Sequence, residues 1–384
     1  MNYEIVVVGA STAGLYSAEL LARQGKQVAV VERVPEIDPE ERTYIITPGL
    51  YQVMKDIPAG LIQQEIDRFQ IQSGQKQADI HLSAPDLIID RAALISTLAS
   101  RAKTAGVVFL NNHEFIGFDS SEGRTLIKLK KEGAVERVSA RYLIGADGVN
   151  SAVRNSLGLD PVPAVPLLQA VVDQPEGWNP QITKVWFDVE NTPYFFWLIP
   201  KDGNQAVVGL IAEQGADIQS LLDGFMAAQN FNPVSFQSGQ AALHNRNAPT
   251  YFTVGNLPVM LVGDAAGQVK VTTVGGTVTG FGGALDAVGR ILGTKNNHVK
   301  RELDLHHYIR RLLDQMEAKD YEDLIDMLNP AVTNFLSVHD RDNMRSHFWK
   351  LTLLQPRFIP LGLKLLSRAI WNGRSSSPQT TRAN

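Results

Sequence analysis

The 384-residue chain contains no cysteine. This absence excludes disulfides, thiolate zinc sites, iron–sulfur clusters and dithiol redox chemistry. Long apolar runs are also missing, because none reaches the roughly 18 residues that a membrane-spanning helix needs. Basic patches with interleaved aromatics are not found either, and the net charge of −4 argues against nucleic acid as a partner. The eight histidines show no ligand spacing, so we predict no metal site.

The remaining composition is that of a globular protein, with 44% hydrophobic and 20% charged residues. The length allows a large core and more than one domain. The chain opens directly on an apolar run with no leader pattern before it, so we expect a cytoplasmic protein.

The first 33 residues show the pattern of a βαβ unit. Residues 5–8 are a β-branched run, typical of a strand that is buried on both faces of a parallel sheet. A glycine-bounded turn, residues 9–14, leads into helical apolar spacing over residues 15–24. A second apolar run, residues 28–31, ends at Glu32. The order strand, turn, helix, strand and acid is typical of dinucleotide-binding units.

Each residue type in this turn has a physical reason. Gly9 permits the turn, and Gly14 lets the helix pack closely on the strand. The helix N-terminus offers free N–H groups to a pyrophosphate, and Glu32 can accept hydrogen bonds from ribose hydroxyls. Ser11 stands where the common pattern has its middle glycine, which hampers the approach of a phosphate. The alternative is a glycine turn in an α/β protein without a nucleotide.

Arg91 follows Asp90, which is placed to cap a helix that ends at Gly106. A cation in the first helical turn is unfavourable, so Arg91 indicates an anionic partner. The alternative is a solvated surface arginine.

Two later segments place carboxylates after predicted strands. The sequence GADGVNSAVR, residues 145–154, puts Asp147 at the end of one strand and starts a helix. Residues 259–262 form a second buried strand, which Asp264 follows. Gly276 and Thr277 then open a helix that is rich in small residues. Open α/β sheets bind ligands at such carboxyl ends.

Residues 160–250 have a different character, with prolines between short aromatic strands. We interpret them as an inserted antiparallel domain. The predicted fold is therefore α/β, with a Rossmann-like domain in two parts (1–159 and 251–300), a substrate domain (160–250), and a C-terminal helical region with a flexible tail (301–384).

Three motifs together resemble the FAD fingerprints of the monooxygenases related to p-hydroxybenzoate hydroxylase. They are GxSxxG with Glu32, DGVNSAVR, and LVGDAAG. Two details are similar to the geranylgeranyl reductase family: the sequence GDAAGQVKVTTVGGT, and the aromatic box FFWLIP followed by Gly209. The box is nearly as similar to that of flavin-dependent halogenases, so it does not separate the two groups.

The resemblance implies FAD as cofactor and a set of contacts to it. These are Gly9, Ser11, Ala13 and Gly14 at the pyrophosphate, Glu32 at the adenosine ribose, Phe115 at the adenine, Arg42 and Thr43 near the ribityl chain or flavin, Asp264 at the ribityl hydroxyls, and Gly276 with Thr277 at the flavin ring. Arg33 and Arg91 are further expected contacts to FAD. It also implies that Asp147 supports the FAD fold and a docking NAD(P)H.

The activity implied by the resemblance is hydride transfer from reduced flavin to a C=C bond of an isoprenoid or other apolar substrate. The alternative is a monooxygenase or halogenase. No second GxGxxG follows a strand, so electrons are expected from docked NAD(P)H or from a separate reductase. No catalytic acid stands out. Tyr44 and Tyr194 are candidate proton donors, and Trp197 is a candidate substrate wall, although such an aromatic is more often part of the core.

Residues 348–374 contain five cations, no acids and many large apolar residues. This composition is typical of a helix that lies on a membrane surface. The alternative is a core helix with solvated basic residues. The sequence makes no prediction of the oligomeric state.

Overall fold

The structure, a computed structural model, describes residues 2–54, 57, 58, 60–121, 123–294, 298–338 and 348–375. The flexible tail predicted near the C-terminus falls on residues 376–384, outside the described residues. One sheet contains the predicted βαβ unit. Across it, the strands are β16 (Tyr251–Val254), β17 (Leu257–Leu261), β10 (Tyr142–Gly145), β1 (Ile5–Val8), β2 (Val28–Val31) and β6 (Val108–Leu110).

All pairs in this sheet are parallel except β16–β17. The strands β1 and β2 are buried along their whole length, because both faces of the sheet are covered. Ile5 and Val7 pack with the helices α1 (Thr12–Arg23), α3 (Arg91–Thr104) and α6 (Thr277–Leu292). Val6 and Val8 face the small antiparallel sheet of β7 (Glu114–Ser121), β8 (Arg124–Lys131) and β9 (Ala134–Val138). The predicted βαβ unit is confirmed.

The chain leaves β1 towards β2 on one side and later returns to β10 on the other side. This reversal of direction is a topological switch point, where open α/β sheets form a ligand crevice. Gly9, Glu32 and Asp264 follow the carboxyl ends of β1, β2 and β17, and Asp147 lies two residues beyond β10. The parallel sheet therefore brings the three predicted motifs to one edge.

The second sheet has eight strands. Across it, they are β15 (Pro233–Ala242), β11 (Ala164–Asp173), β14 (Gln205–Ile211), β13 (Phe196–Lys201), β12 (Ile182–Trp186), β4 (Ile62–Ser73), β5 (Lys76–Asp90) and β3 (Thr43–Ile46). Neighbours are antiparallel except β4 and β12. The predicted antiparallel sheet is present, and it also includes β3, β4 and β5, which lie outside residues 160–250. The predicted domain boundaries stay predictions.

Other helices connect and flank the sheets. They are α2 (Gly49–Val53), α4 (Ala152–Ser156), α5 (Ile218–Gln229), α7 (His298–Leu313), α8 (Ala318–Asp326), α9 (Pro330–Val338), α10 (Phe348–Leu354) and α11 (Phe358–Ser375). Met316, Tyr321 and Leu365 form the small core that joins the C-terminal helices. Within the described ranges, no helix combines the length and apolar character needed to cross a bilayer.

Candidate functional site

The turn after β1 is shaped by two glycines. Gly9 has a φ of +100°, and a Cβ there would lie 2.5 Å from the carbonyl oxygen of Ala146. A Cβ at Gly14 would overlap the carbonyl oxygen of Gly9 and lie 2.9 Å from the Cβ of Ala146. Both positions therefore require glycine, and α1 packs directly on the end of β1. The turn expected at Gly9 and the close packing expected at Gly14 are confirmed, and their contacts to a pyrophosphate stay a prediction.

Ser11 has a role that the phosphate pattern does not predict. It is the N-cap of α1, and its hydroxyl accepts a hydrogen bond of 3.2 Å from the amide of Gly14. A serine N-cap stabilises a helix by about 1 kcal/mol relative to alanine. Ser11 is larger than the glycine of the common pattern, but it caps α1. The other amides at the start of α1 still point out of the helix end.

Glu32 lies across the same turn. Its Oε2 accepts from the amide of Ala10 at 2.9 Å, and its Oε1 accepts from Val34 at 3.3 Å. These bonds fix the carboxylate at the end of β2, where an adenosine ribose is expected. Arg33 is exposed beside it and lines a hollow of about 360 Å³. Phe115 buries its ring in the core, so only its backbone is available for an adenine contact.

The opposite end of the crevice gathers three predicted residues around the carboxylate of Asp264. Burial raises the pKa of Asp264, and the positive charges of Arg91 and Arg42 oppose this rise. Burial also raises the pKa of Tyr44, again opposed by Arg42 and Arg91. These four side chains, far apart in sequence, therefore share one partly desolvated environment. Two cations for one carboxylate leave an excess positive charge, which fits an anionic ligand.

Gly276 brings the start of α6 to the same carboxylate. A Cβ at Gly276 would lie 3.3 Å from Oδ1 of Asp264 and 3.0 Å from Val269. No side chain caps this helix, which begins at Thr277, so its first amides are left without side-chain partners. The structure therefore confirms that the start of α6 lies beside the carboxylate of Asp264, as predicted.

Asp147 is placed differently from the other two carboxylates. Its oxygens accept from the hydroxyl of Ser151 at 2.5 Å and the amide of Val153 at 3.0 Å, and burial raises its pKa. Arg154 then donates to the carbonyl oxygens of Asp160, at 2.5 Å, and Ala265, at 3.4 Å. Arg154 therefore links α4 to the GDAAG segment that follows β17. The expected supporting role agrees with these bonds, and a contact to NAD(P)H stays a prediction.

Arg42 and Thr43 are held by the second sheet. The guanidinium of Arg42 donates to the carbonyl oxygen of Ser238 at 2.7 Å. Thr43 is buried, and its amide donates to the side chain of Gln237, which also accepts from Gln169 at 2.5 Å. Local sequence patterns do not indicate this glutamine pair, because its members lie far apart in the chain on strands that pair in the sheet.

Trp197 and Gly209 are directly opposite each other on β13 and β14. A Cβ at Gly209 would lie 2.5 Å from the indole, so the glycine makes room for the ring. The ring belongs to the apolar cluster that includes Val274 and Ile45, whereas the neighbouring Phe196 packs under α5. Adjacent residues of a strand point to opposite faces of the sheet, and Trp197 is on the face that includes Ile45 and Val274.

The crevice fits FAD on these observations. It has a turn that only glycine can form, two helix starts, and a half-buried carboxylate with two arginines. Residues 2–303 match the FAD binding domain family. The chain belongs to this family.

Known relatives agree with this assignment. Digeranylgeranylglycerophospholipid reductase 1 of Methanopyrus kandleri is 28% identical over 83% of this chain and 87% of its own length. Geranylgeranyl diphosphate reductase of Rhodobacter capsulatus is 26% identical over 96% and 97%. A geranylgeranyl bacteriochlorophyll reductase-like protein of Thermoplasma acidophilum has the same fold, with a TM-score of 0.76, 17% identity, and coverage of 96% and 99%. The chain is an FAD-dependent oxidoreductase of this fold. Among the described residues, no group of side chains is arranged to bind a metal ion.

Proposed function

We propose that this protein uses reduced FAD to saturate C=C bonds of an isoprenoid or similarly apolar chain. One observation carries the proposal. The apolar face around Trp197 continues through Ile45 and Val274, which adjoin Tyr44 and Gly275 at the flavin end of the crevice. An apolar substrate could therefore lie against the face that contacts the cofactor site.

Bound FAD would supply the hydride, and the protein would bind, orient and exclude water. Asp264 and the free amides of α6 would hold the ribityl and flavin end, while Arg42 and Arg91 offset negative charge. Tyr44 shares the charged environment of Arg42, Arg91 and Asp264 at the end of the crevice where the flavin is expected, so its position makes it the candidate for the proton donor. Trp197 has no suitable proton and would form part of the substrate wall.

The electron donor is proposed to be NAD(P)H or a separate reductase that docks transiently. The carboxylate of Asp147 already binds Ser151 and Val153, so it would act on such a donor only through the position of α4.

Anaerobic turnover tests the function. We expect protein reconstituted with FAD and reduced by dithionite to convert geranylgeranyl diphosphate into products heavier by two hydrogens per saturated bond, measured by mass spectrometry. Flavin-dependent halogenases share the fold at TM-scores of 0.57 to 0.60, and the aromatic box is similar to theirs. Turnover that requires oxygen would favour that class and contradict the proposal.

We further propose a cytoplasmic protein that contacts a membrane through an apolar stripe on α11. Ile359, Leu363, Leu366 and Ile370 recur at helical spacing and are between 48% and 62% exposed. Trp371 is 75% exposed at the end of the stripe. Exposed apolar rows of this length are typical of interaction surfaces, and a terminal tryptophan suits a membrane interface.

The charges contribute less than the sequence suggested. Lys364 and Arg368 each lie 2.5 Å from the buried carboxylate of Asp320, so their charges are paired there and hold α11 to α8, although the side chain of Lys364 is still 46% exposed. Lys350 and Arg357 remain exposed or partly exposed, and the side chain of Arg374 lies outside the described residues. Membrane contact would therefore depend mainly on apolar insertion and be only weakly sensitive to salt.

Flotation with vesicles of phosphatidylcholine and phosphatidylglycerol tests this surface. We expect binding that persists in high salt, and a loss of about tenfold or more when Leu363 and Ile370 are both replaced by glutamate. Val234→Glu is the matched control, since Val234 is 60% exposed on β15. Equal flotation of the double variant and the control would contradict the proposal.

A further inference from the structure

The loop between Asp264 and Gly276 has an unfavourable backbone conformation. Gly267 has a φ of +63°, which suits glycine, but Val274 has a φ of +54°. A β-branched residue in the left-handed region is a clear outlier that costs about 1–2 kcal/mol. Such strain persists only where the surroundings determine the conformation. This loop therefore needs contacts that hold it.

The inner side of the loop is held by Gln268. Its side-chain oxygen accepts from the amide of Gly263 at 2.7 Å, and its carbonyl oxygen accepts from the hydroxyl of Thr279 at 2.6 Å. These bonds join the loop to the strand end before Asp264 and to α6. They fix the base of the loop but not its outer side.

A histidine holds the first part of the outer side. Nδ1 of His244 lies 3.2 Å from the carbonyl oxygen of Gly267, and its Nε2 lies 3.1 Å from Oδ1 of Asp304 on α7. The side chain of His244 is 7% exposed. The ring of His244 therefore bridges the backbone of the loop and α7.

A second histidine holds the other part of the outer side. Nδ1 of His306 lies 2.6 Å from the hydroxyl of Thr272, and its Nε2 lies 3.6 Å from Oε1 of Glu302. The side chain of His306 is 7% exposed, and its Nε2 is buried without a hydrogen bond to any described residue. Burying a ring nitrogen without a hydrogen bond costs free energy, so the position of His306 needs an explanation, which its bond to Thr272 can supply.

We infer that His244 and His306 are positioning residues for the cofactor. They clamp residues 267–272 to α7, and so set the spacing between Asp264 and Gly276, the two groups expected to bind the ribityl and flavin end of FAD. Neither histidine is required to touch FAD itself. The inference depends on binding of FAD in this crevice, but not on which substrate the bound flavin reduces.

The test measures the Kd for FAD by fluorescence titration of the apoprotein. We expect His306→Ala and His244→Ala each to raise the Kd about tenfold, since each removes a buried hydrogen bond to the loop. Thr272→Val should have the same effect as His306→Ala, and combining the two should add little more. His306→Asn, which can still bond to the Thr272 hydroxyl, should recover part of the affinity.

His81→Ala is the control, because His81 is exposed on β5. The thermal midpoint of each apoprotein and the visible spectrum of the bound flavin separate a positioning effect from loss of folding. Values of Kd within twofold of the wild type in both alanine variants would overturn the inference. So would a Kd increase that only follows the unfolded fraction. Failure of the wild type to bind FAD would overturn the inference together with the cofactor site on which it depends, whereas absent alkene reduction by FAD-loaded protein would affect only the proposed function.

Discussion

Replacing Asp264 with asparagine should weaken FAD binding about hundredfold and yet stabilise the apoprotein at neutral pH. The first effect follows because hydrogen bonds to a charged group contribute about 1.5–3 kcal/mol, and a neutral amide loses this charge. The second follows because burial raises the pKa of Asp264. Ionising this carboxylate therefore costs the folded apoprotein free energy that asparagine does not lose.

The pH dependence has a definite sign. Because the folded pKa is above the unfolded value of about 3.9, the cost is absent below that value and develops as pH rises through the folded pKa. Urea unfolding of both apoproteins should therefore show similar stabilities near pH 4 and a more stable variant at pH 7.5. Asp202→Asn is the control, since Asp202 is exposed. A Kd for FAD that is unchanged in Asp264→Asn would contradict the assignment of this carboxylate.

The parallel half of the fold could be predicted because its signals are local. A buried β-branched run, a glycine turn and a capped helix lie within 33 residues, and each predicts a local structure without any distant contact. Arg91 is a further example. Its unfavourable place in the first turn of α3 indicated an anionic neighbour, and the structure brings it close to Asp264.

The second sheet could not be delimited in the same way. β4 and β5 alternate between polar and apolar residues only in part, and their register shifts near Gln64 and Arg68. Such irregularities break the period of two on which strand prediction depends. Trp197 shows a similar limit of sequence-based prediction. The aromatic box that contains it could be recognised, but the packing of its ring on Gly209 depends on the pairing of β13 with β14.

The site contacts that sequence reasoning missed are long-range side-chain bonds. Gln268 directly follows the GDAAG motif. The only local sign of its packing was the small-residue pattern of α6, where Gly283 leaves space for the side-chain amide of Gln268. Asp304 lies 60 positions after its partner His244, and Thr272 lies 34 positions before its partner His306. Spacing rules for helices and strands do not extend to such distances.

Gly14→Ala is expected to have the largest effect on the whole molecule. A Cβ there would overlap the backbone oxygen of Gly9, which no rotamer change can relieve, so α1 would have to move away from β1. Overpacking of this kind costs about 3 kcal/mol, and the shift would displace the amides that face the pyrophosphate. We therefore expect a Kd for FAD at least about a hundredfold higher, together with a lower thermal midpoint.

Gly224→Ala is the matched control for this substitution. Gly224 lies inside α5, and a Cβ there would meet no atom within 4 Å. Alanine in a helix interior is favoured over glycine by about 1 kcal/mol, so this variant should be slightly more stable and bind FAD normally. If the same glycine-to-alanine change lowers stability at residue 14 and raises it at residue 224, the close packing of α1 on β1 is the cause of the loss. Normal FAD affinity in Gly14→Ala would show that the helix start is not part of the binding site.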